Sequence, residues 1–273
     1  MIEAKDQHGN ISFTYEENEL NIQKIKDYWT QDRKDAARPI GQEVDLEGHG
    51  NEEEPATTDP EKADLSKMPF QAGGKLFFSC DGKDFVGSAQ IVTGKKILLT
   101  AAHCIQDKDT GHLCDNFQFE RGYDEDGKST ETLTFKTIAL KSYWHEQKEW
   151  KWDYAFAILN GESLIFEPLT CSTENVGEKV LVAFGYPQNY YAGKKMVYVE
   201  GSSCVTKRNT REIKGNKMRQ GSSGGAWVLK GTNTVVGNVS YGPVSEKAED
   251  AYQGSPIYDA EFESLHRYVG TLL

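Results

Sequence analysis

The sequence predicts an all-β protein of closed or nearly closed architecture, with an N-terminal leader and a C-terminal helix. Ten short apolar or alternating runs, separated by turn residues, follow one another over about 200 residues, the pattern of a barrel rather than of a parallel sheet with helices. A break in composition near Lys67 sets the first part of the chain apart. At the far end, DAEFESLHRYVGTLL changes to helical spacing, with Phe262, Leu265, Tyr268 and Val269 on one side.

Taken in order, residues 1–67 form the leader. Within it, 15–34 has the spacing of a short amphipathic helix, with Leu20, Ile22, Ile25 and Tyr28 roughly on one side. Gly41–Lys67 is rich in Glu, Asp, Gly and Pro and nearly free of aromatics, so it reads as an exposed linker. From Met68 onward the strands GKLFFSC, DFVGSAQIV, KILLTAA, NFQFERGY, ETLTFKTIAL, YAFAIL, KVLVAFGY, KMVYVEG, GAWVLK and TVVGNVSYG alternate with turns such as DGKD, TGKK, DEDGK and KGTNT. Apolar residues are 37% of the 273, and the deficit lies mostly in the leader, so residues 68–273 can build an ordinary core.

Charge and cysteines exclude several functions. A net charge of −11 disfavours nucleic acid and anionic membrane surfaces, both of which call for a basic face. No apolar run is long enough to span a bilayer. The N-terminus MIEAKDQHGN has no apolar signal core, so either the protein stays inside the cell or its signal is not part of this chain. The five cysteines, Cys80, Cys104, Cys114, Cys171 and Cys204, contain no CxxC pair, so no structural zinc site, and no other metal or cofactor, is expected. DEDGKSTE (124–131) has carboxylates spaced somewhat like a calcium loop but reads as a hairpin turn. Asn10-Ile11-Ser12 and Asn238-Val239-Ser240 match the glycosylation sequon, the second within a core strand.

Three short segments carry chemistry. His103 ends the apolar strand KILLTAAHC, Asp153 opens DYAFAIL, and Ser223 lies inside GSSGGAW. Each has a bland reading: a structural histidine, a solubilising acid at a strand edge, a loose Gly-Ser loop. Together they supply a nucleophile, a base and an acid that orients the base. The glycines suit a turn that aims the Gly221 and Ser223 N–H groups at one point, an oxyanion hole.

LLTAAHC, DYAFAIL and GSSGGAW, in that order, with their key residues at 103, 153 and 223, resemble the signature segments of chymotrypsin-like serine peptidases. PFQAGGKLFFS, NFQFERGY, VAFGYPQNYYAGKKM and VVGNVSYG are similar to the bacterial and fungal branch that includes the V8-like glutamyl endopeptidases. The likeness covers roughly residues 68–270. It implies two packed six-stranded antiparallel β-barrels with the site between them, His103 as general base, Asp153 as orienting acid and Ser223 as nucleophile. It also implies a polypeptide substrate and a serine endopeptidase, expected to be secreted and monomeric. The composition break near Lys67 makes the leader either a removable zymogen segment or a disordered extension with no regulatory role. Rival expectations are a catalytically silent binding module of the same fold and an esterase-like serine hydrolase.

The chain departs from the family in places. Gly87 stands where the family usually has a cysteine bridged to the one after the histidine, which leaves Cys104 to pair with Cys80 or Cys114 or to stay free. Cys171 and Cys204 are a candidate pair. Ser222 replaces the aspartate that precedes the serine in animal trypsins. By the resemblance, the pocket for the residue before the cut is walled by Lys217–Gln220 and by Ser240, Tyr241 and Gly242. Lys217 occupies the place of a trypsin-like carboxylate, which disfavours cleavage after Lys or Arg, and Ser240 stands where glutamyl endopeptidases have a histidine. Lys217 or Arg219 could attract an acidic side chain or face solvent.

Overall fold

In the computed structural model, which describes residues 1–15, 19–41, 43–44, 57–244, 247 and 250–273, six antiparallel strands close into a barrel. In ring order they are Glu131–Lys141, Ala155–Leu159, Ile97–Thr100, Lys83–Val92, Gly73–Cys80 and Asp115–Arg121, and the last pairs back onto the first. Their inward residues, among them Leu76, Phe78, Ile91, Leu98, Phe117, Phe119 and Ile138, are buried. The expected all-β fold is thus present.

The second half is a six-stranded sheet, Thr170–Cys171, Thr234–Asn238, Ala226–Leu229, Val180–Gly185, Val197–Ser202 and Glu61–Lys62, faced by a three-stranded one, Cys204–Val205, Thr210–Lys214 and Tyr252–Pro256. Its core is Leu181, Val197, Val199, Ile213, Trp227 and Val236. It does not close as a second continuous ladder. The Asn238 N–H donates to Ser255 Oγ rather than to a backbone carbonyl, and main-chain bonds join the two sheets at Ser240 N–H to Gly254 O and Gly254 N–H to Tyr241 O.

The C-terminal helix, Ala260–Gly270, begins where the Asp259 carboxylate accepts from the N–H groups of Glu261 and Phe262. Phe262, Leu265 and Val269 are buried, with Phe262 against Tyr154 and Phe156 of the first barrel.

The N-terminal segment, read as a leader, packs on the first barrel. Its strand Asn10–Thr14 pairs with Thr137–Lys141, extending that sheet, and Phe13 and Trp29 enter the core. The Trp29 indole donates to Asn116 O at 2.6 Å, and the Tyr28 hydroxyl to Asp84 at 2.6 Å. The expected helix appears as Glu19–Tyr28, lying against Asp115–Arg121, with a second, Gln31–Ala36. Leu20 is 73% exposed, contrary to expectation, because it stands two residues, about 200° of helix, from Ile22. Residues 42 and 45–56 of the stretch read as a linker lie outside the described residues.

Cys80 and Cys114 form a disulfide, and Cys104 is a buried free thiol. The candidate pair Cys171–Cys204 does not form: Cys171 lies on a strand edge beside Val235, whereas Cys204 pairs with Glu212 on the other sheet and donates to its carbonyl. Both sequon asparagines, Asn10 and Asn238, are buried. The 124–131 segment is a turn, closed by Asp124 N–H to Lys128 O at 2.9 Å.

Candidate active site

His103 and Asp153 meet because their strands are neighbours. Ile97–Thr100 and Ala155–Leu159 pair with Thr100 opposite Ala155, so the residues just beyond them share one end of the barrel. A 3₁₀ turn, Ala102–Cys104, swings His103 inward, and another, Trp150–Trp152, delivers Asp153. His103 Nδ1 lies 2.8 Å from Asp153 Oδ2, and the His103 main-chain N–H donates to Oδ1 at 2.9 Å. The Ser240 hydroxyl donates to Oδ2 at 2.5 Å, and Asn238 Nδ2 donates to the Asp153 carbonyl at 3.0 Å. The carboxylate is completely buried yet satisfied by three donors, which is what makes a buried charge tolerable. Burial pulls the His103 pKa down. The charge of Asp153, Cys104 and the hydrogen bonds to both together outweigh it, and the net effect is upward from 6.5 to about 10.

The GSSGGAW stretch is a shaped turn. Gly221 has φ +92° and Gly224 φ +84°, which L side chains rarely adopt. A Cβ on Gly224 would lie 2.1 Å from Thr100 Oγ1 and 2.3 Å from Ser88 O. This contact seats the turn against Thr100 and Ala101, just before His103. Gly224→Ala is therefore expected to lower stability by about 2–4 kcal/mol in chemical denaturation, combining strain and clash. A change below about 0.5 kcal/mol would contradict this packing.

Ser223 is buried beside this junction: Ser88 N–H donates to its carbonyl at 2.8 Å, and Cys104 Sγ approaches the same oxygen at 3.8 Å. Its hydroxyl does not bond to His103. It donates to the Ile40 carbonyl of the leader at 3.2 Å, and His103 Nε2 is buried without a partner among the described residues. The Gly221 N–H, expected in an oxyanion hole, donates to the same Ile40 oxygen at 2.7 Å. The N-terminal segment thus reaches the serine through Ile40.

Next to Ser223 opens a cavity of about 460 Å³. Of the expected wall residues, Met218, Arg219, Gln220, Ser240, Tyr241 and Gly242 line it. Lys217 does not; its ammonium group pairs with Asp59 at 2.6 Å, near the surface. Ser240 spends its hydroxyl on Asp153. Sequence reasoning missed Gln253, whose Oε1 accepts from Trp227 Nε1 at 3.0 Å and from Asn216 Nδ2 at 3.1 Å. An indole N–H only donates, so the amide is fixed with Nε2 turned toward Ser222 Oγ, 3.4 Å away, at the cavity. A buried glutamine between Tyr252 and Gly254 on a strand was the available signal.

The trypsin-like peptidase domain profile matches residues 87–237, more than half of the chain. The chain belongs to the trypsin-like peptidase family. No curated protein matches its sequence. Among solved structures, it is similar to a thermostable serine protease, AL20, from an extremophilic microorganism: 26% identity, 74% of this chain and 99% of that one covered, TM-score 0.67. The protease Anisep from Arthrobacter nicotinovorans is 23% identical, with 77% and 98% covered and TM-score 0.68. A Glu endopeptidase is 16% identical, with 77% and 95% covered and TM-score 0.62. The last two likenesses show the trypsin-like fold alone. As a trypsin-like peptidase, the protein acts on polypeptides. Among the described residues no helix is long and apolar enough to cross a membrane.

Proposed function

We propose that the protein is a serine endopeptidase of the V8-like branch in which Ser223, His103 and Asp153 act as a catalytic triad. The observation that carries this reading is the locked histidine. Nδ1 is tied to a buried carboxylate, which fixes the tautomer that leaves Nε2 able to take a proton, and Nε2 has no partner among the described residues. Ser223 Oγ attacks the substrate carbonyl carbon and gives its proton to Nε2. The carbonyl oxygen, now negative, is held by the Gly221 and Ser223 N–H groups. His103 then passes the proton to the departing amine, and water, activated by the same nitrogen, releases the acid from the acyl-enzyme. We assign secretion and synthesis as a zymogen to the same reading; the Cys80–Cys114 bridge fits an oxidising compartment.

The cavity chemistry supports a preference for substrates with an acidic or amide side chain before the cut. Arg219 is the one charged side chain among its described lining residues, and the fixed Gln253 Nε2 presents a donor at its floor. Profiling on a peptide library is expected to give Glu or Gln before the cut over Lys or Arg, with the acidic preference shrinking at high salt. A clear preference for Lys or Arg would overturn the assignment. Gln253→Glu keeps an acceptor for Trp227 and Asn216 but places a carboxylate at the floor. It is expected to move the Lys/Glu ratio of kcat/KM toward Lys by on the order of 100-fold, a few kcal/mol of charge complementarity. An unchanged ratio would remove Gln253 from the pocket.

A further inference from the structure

We propose that residues Arg38–Gly41 are a built-in inhibitor that occupies the substrate cleft with its chain direction reversed. This rests on the peptidase reading above and concerns the regulation of that site. The contacts are mainly backbone. Arg38 and Pro39 pair in parallel with Phe85 and Val86 of the first barrel, and the Ile40 N–H donates to Val86 O at 2.8 Å. The Ile40 oxygen accepts from both the Gly221 N–H and the Ser223 hydroxyl. Farther along, Glu43 and Val44 pair in parallel with Gly242 and Pro243, on the wall of the cavity. One short run of chain thus bridges both halves of the molecule across the reacting groups.

The direction follows from what lies on each side of the Ile40 carbonyl. In a cleavable substrate the side chain of the acyl residue enters the cavity and the leaving amide lies on the histidine side. Here the two are exchanged. The Ile40 side chain rests at Gly87, whose added Cβ would lie 3.3 Å from Ile40 Cγ2 and 3.2 Å from the sulfur of Cys104, the neighbour of His103. Gly41, which carries the nitrogen that would have to leave, lines the cavity against Gln220. That nitrogen is placed away from the base that must protonate it, and the serine donates its hydrogen to the oxygen instead of attacking the carbon. A neutral carbonyl occupies the oxyanion position, the nucleophile is spent as a donor, and no bond is cut. Gly87, which departs from the family pattern, leaves the room that Ile40 uses. The leader's anchors at Phe13, Tyr28 and Trp29 hold the segment at an effective concentration on the order of millimolar, so modest contacts suffice to fill the cleft.

Gly41 offers the test, because a Cβ there would meet Gln220 Cγ at 2.5 Å and its backbone Cα at 3.1 Å, so a larger residue forces the segment out. Full-length wild type and Gly41→Val are treated with an alkyl fluorophosphonate, and the rate of adduct formation at Ser223 is followed by intact mass. Hydrogen exchange of the Gly221 amide is measured on both proteins. The expected result is labelling faster by on the order of 10-fold or more in Gly41→Val, the effect of losing a bound carbonyl, together with loss of Gly221 protection. Equal rates with equal protection would overturn the proposal, as would recovery of wild type cut between Ile40 and Gly41. Should neither protein be labelled, the peptidase reading fails and the inhibitory role with it, while exchange at Gly221 still reports whether the segment was bound. If Gly41→Val loses protection throughout the barrel, Pro39→Gly, which loosens the segment without adding bulk, replaces it with the same expectations.

Discussion

Ser223→Ala is expected to lower kcat/KM on a peptide substrate by about 10⁴- to 10⁶-fold, because in the proposed mechanism its hydroxyl forms the acyl bond and no neighbour can substitute for it. The fold should survive. The residue loses one oxygen and one hydrogen bond, to Ile40, so the stability change is expected to stay within about 1 kcal/mol. Kinetics and thermal unfolding of the same preparation separate the two effects. Activity within 10-fold of wild type would show that hydrolysis does not run through Ser223.

Asp153→Asn is expected to cost about 10⁴-fold in kcat, the drop that follows when a triad base is left in the wrong tautomer. An amide at this position has one acceptor oxygen for three donors, His103 N–H, His103 Nδ1–H and Ser240 O–H. Its own Nδ2–H₂ then turns His103 Nδ1 into an acceptor and moves the proton to Nε2, where the base is needed. The pH response should change as well. His103 has a raised pKa in the wild-type fold, so its imidazolium contributes stability that is complete below the ordinary value of 6.5 and is lost as pH rises toward the raised value. Over the same window activity should rise, since the base must be neutral. In Asp153→Asn the dominant remaining influence on His103 is burial, which lowers the pKa, so both limbs should move to lower pH. Superimposable Tm-versus-pH curves for the two proteins would contradict the assigned coupling.

Much of the first barrel and of the candidate site was legible in the sequence, because it is written in side chains. Alternating apolar runs marked the strands, and the spacing of Phe262, Leu265 and Val269 marked the final helix. The histidine, the buried acid and the glycine-framed serine each broke a local pattern in a way that needed a reason. What the sequence hid is mostly backbone. Arg38-Pro39-Ile40-Gly41 has no composition that announces its proposed place at the oxyanion hole, since its decisive bonds use the Ile40 N–H and C=O. The role of Gln253 depends on a bond from Trp227, which is distant along the chain. Ser240 lines the cavity as read, but its hydroxyl is turned to Asp153, and Lys217, read as a pocket charge, points its ammonium group at Asp59. Alternation along a strand assigns a residue to a face, but it does not say which polar partner the other elements bring to that face.

The most direct test of the central claim is to locate the covalent adduct left by an alkyl fluorophosphonate. The full-length protein is exposed to saturation, digested with a second protease and mapped by tandem mass spectrometry, beside a His103→Ala control. The triad predicts a single phosphonyl group on Ser223, within the GSSGGAW segment, and none in the control. An adduct on Ser222 or elsewhere, equal labelling of the control, or no adduct in either wild type or Gly41→Val would contradict it.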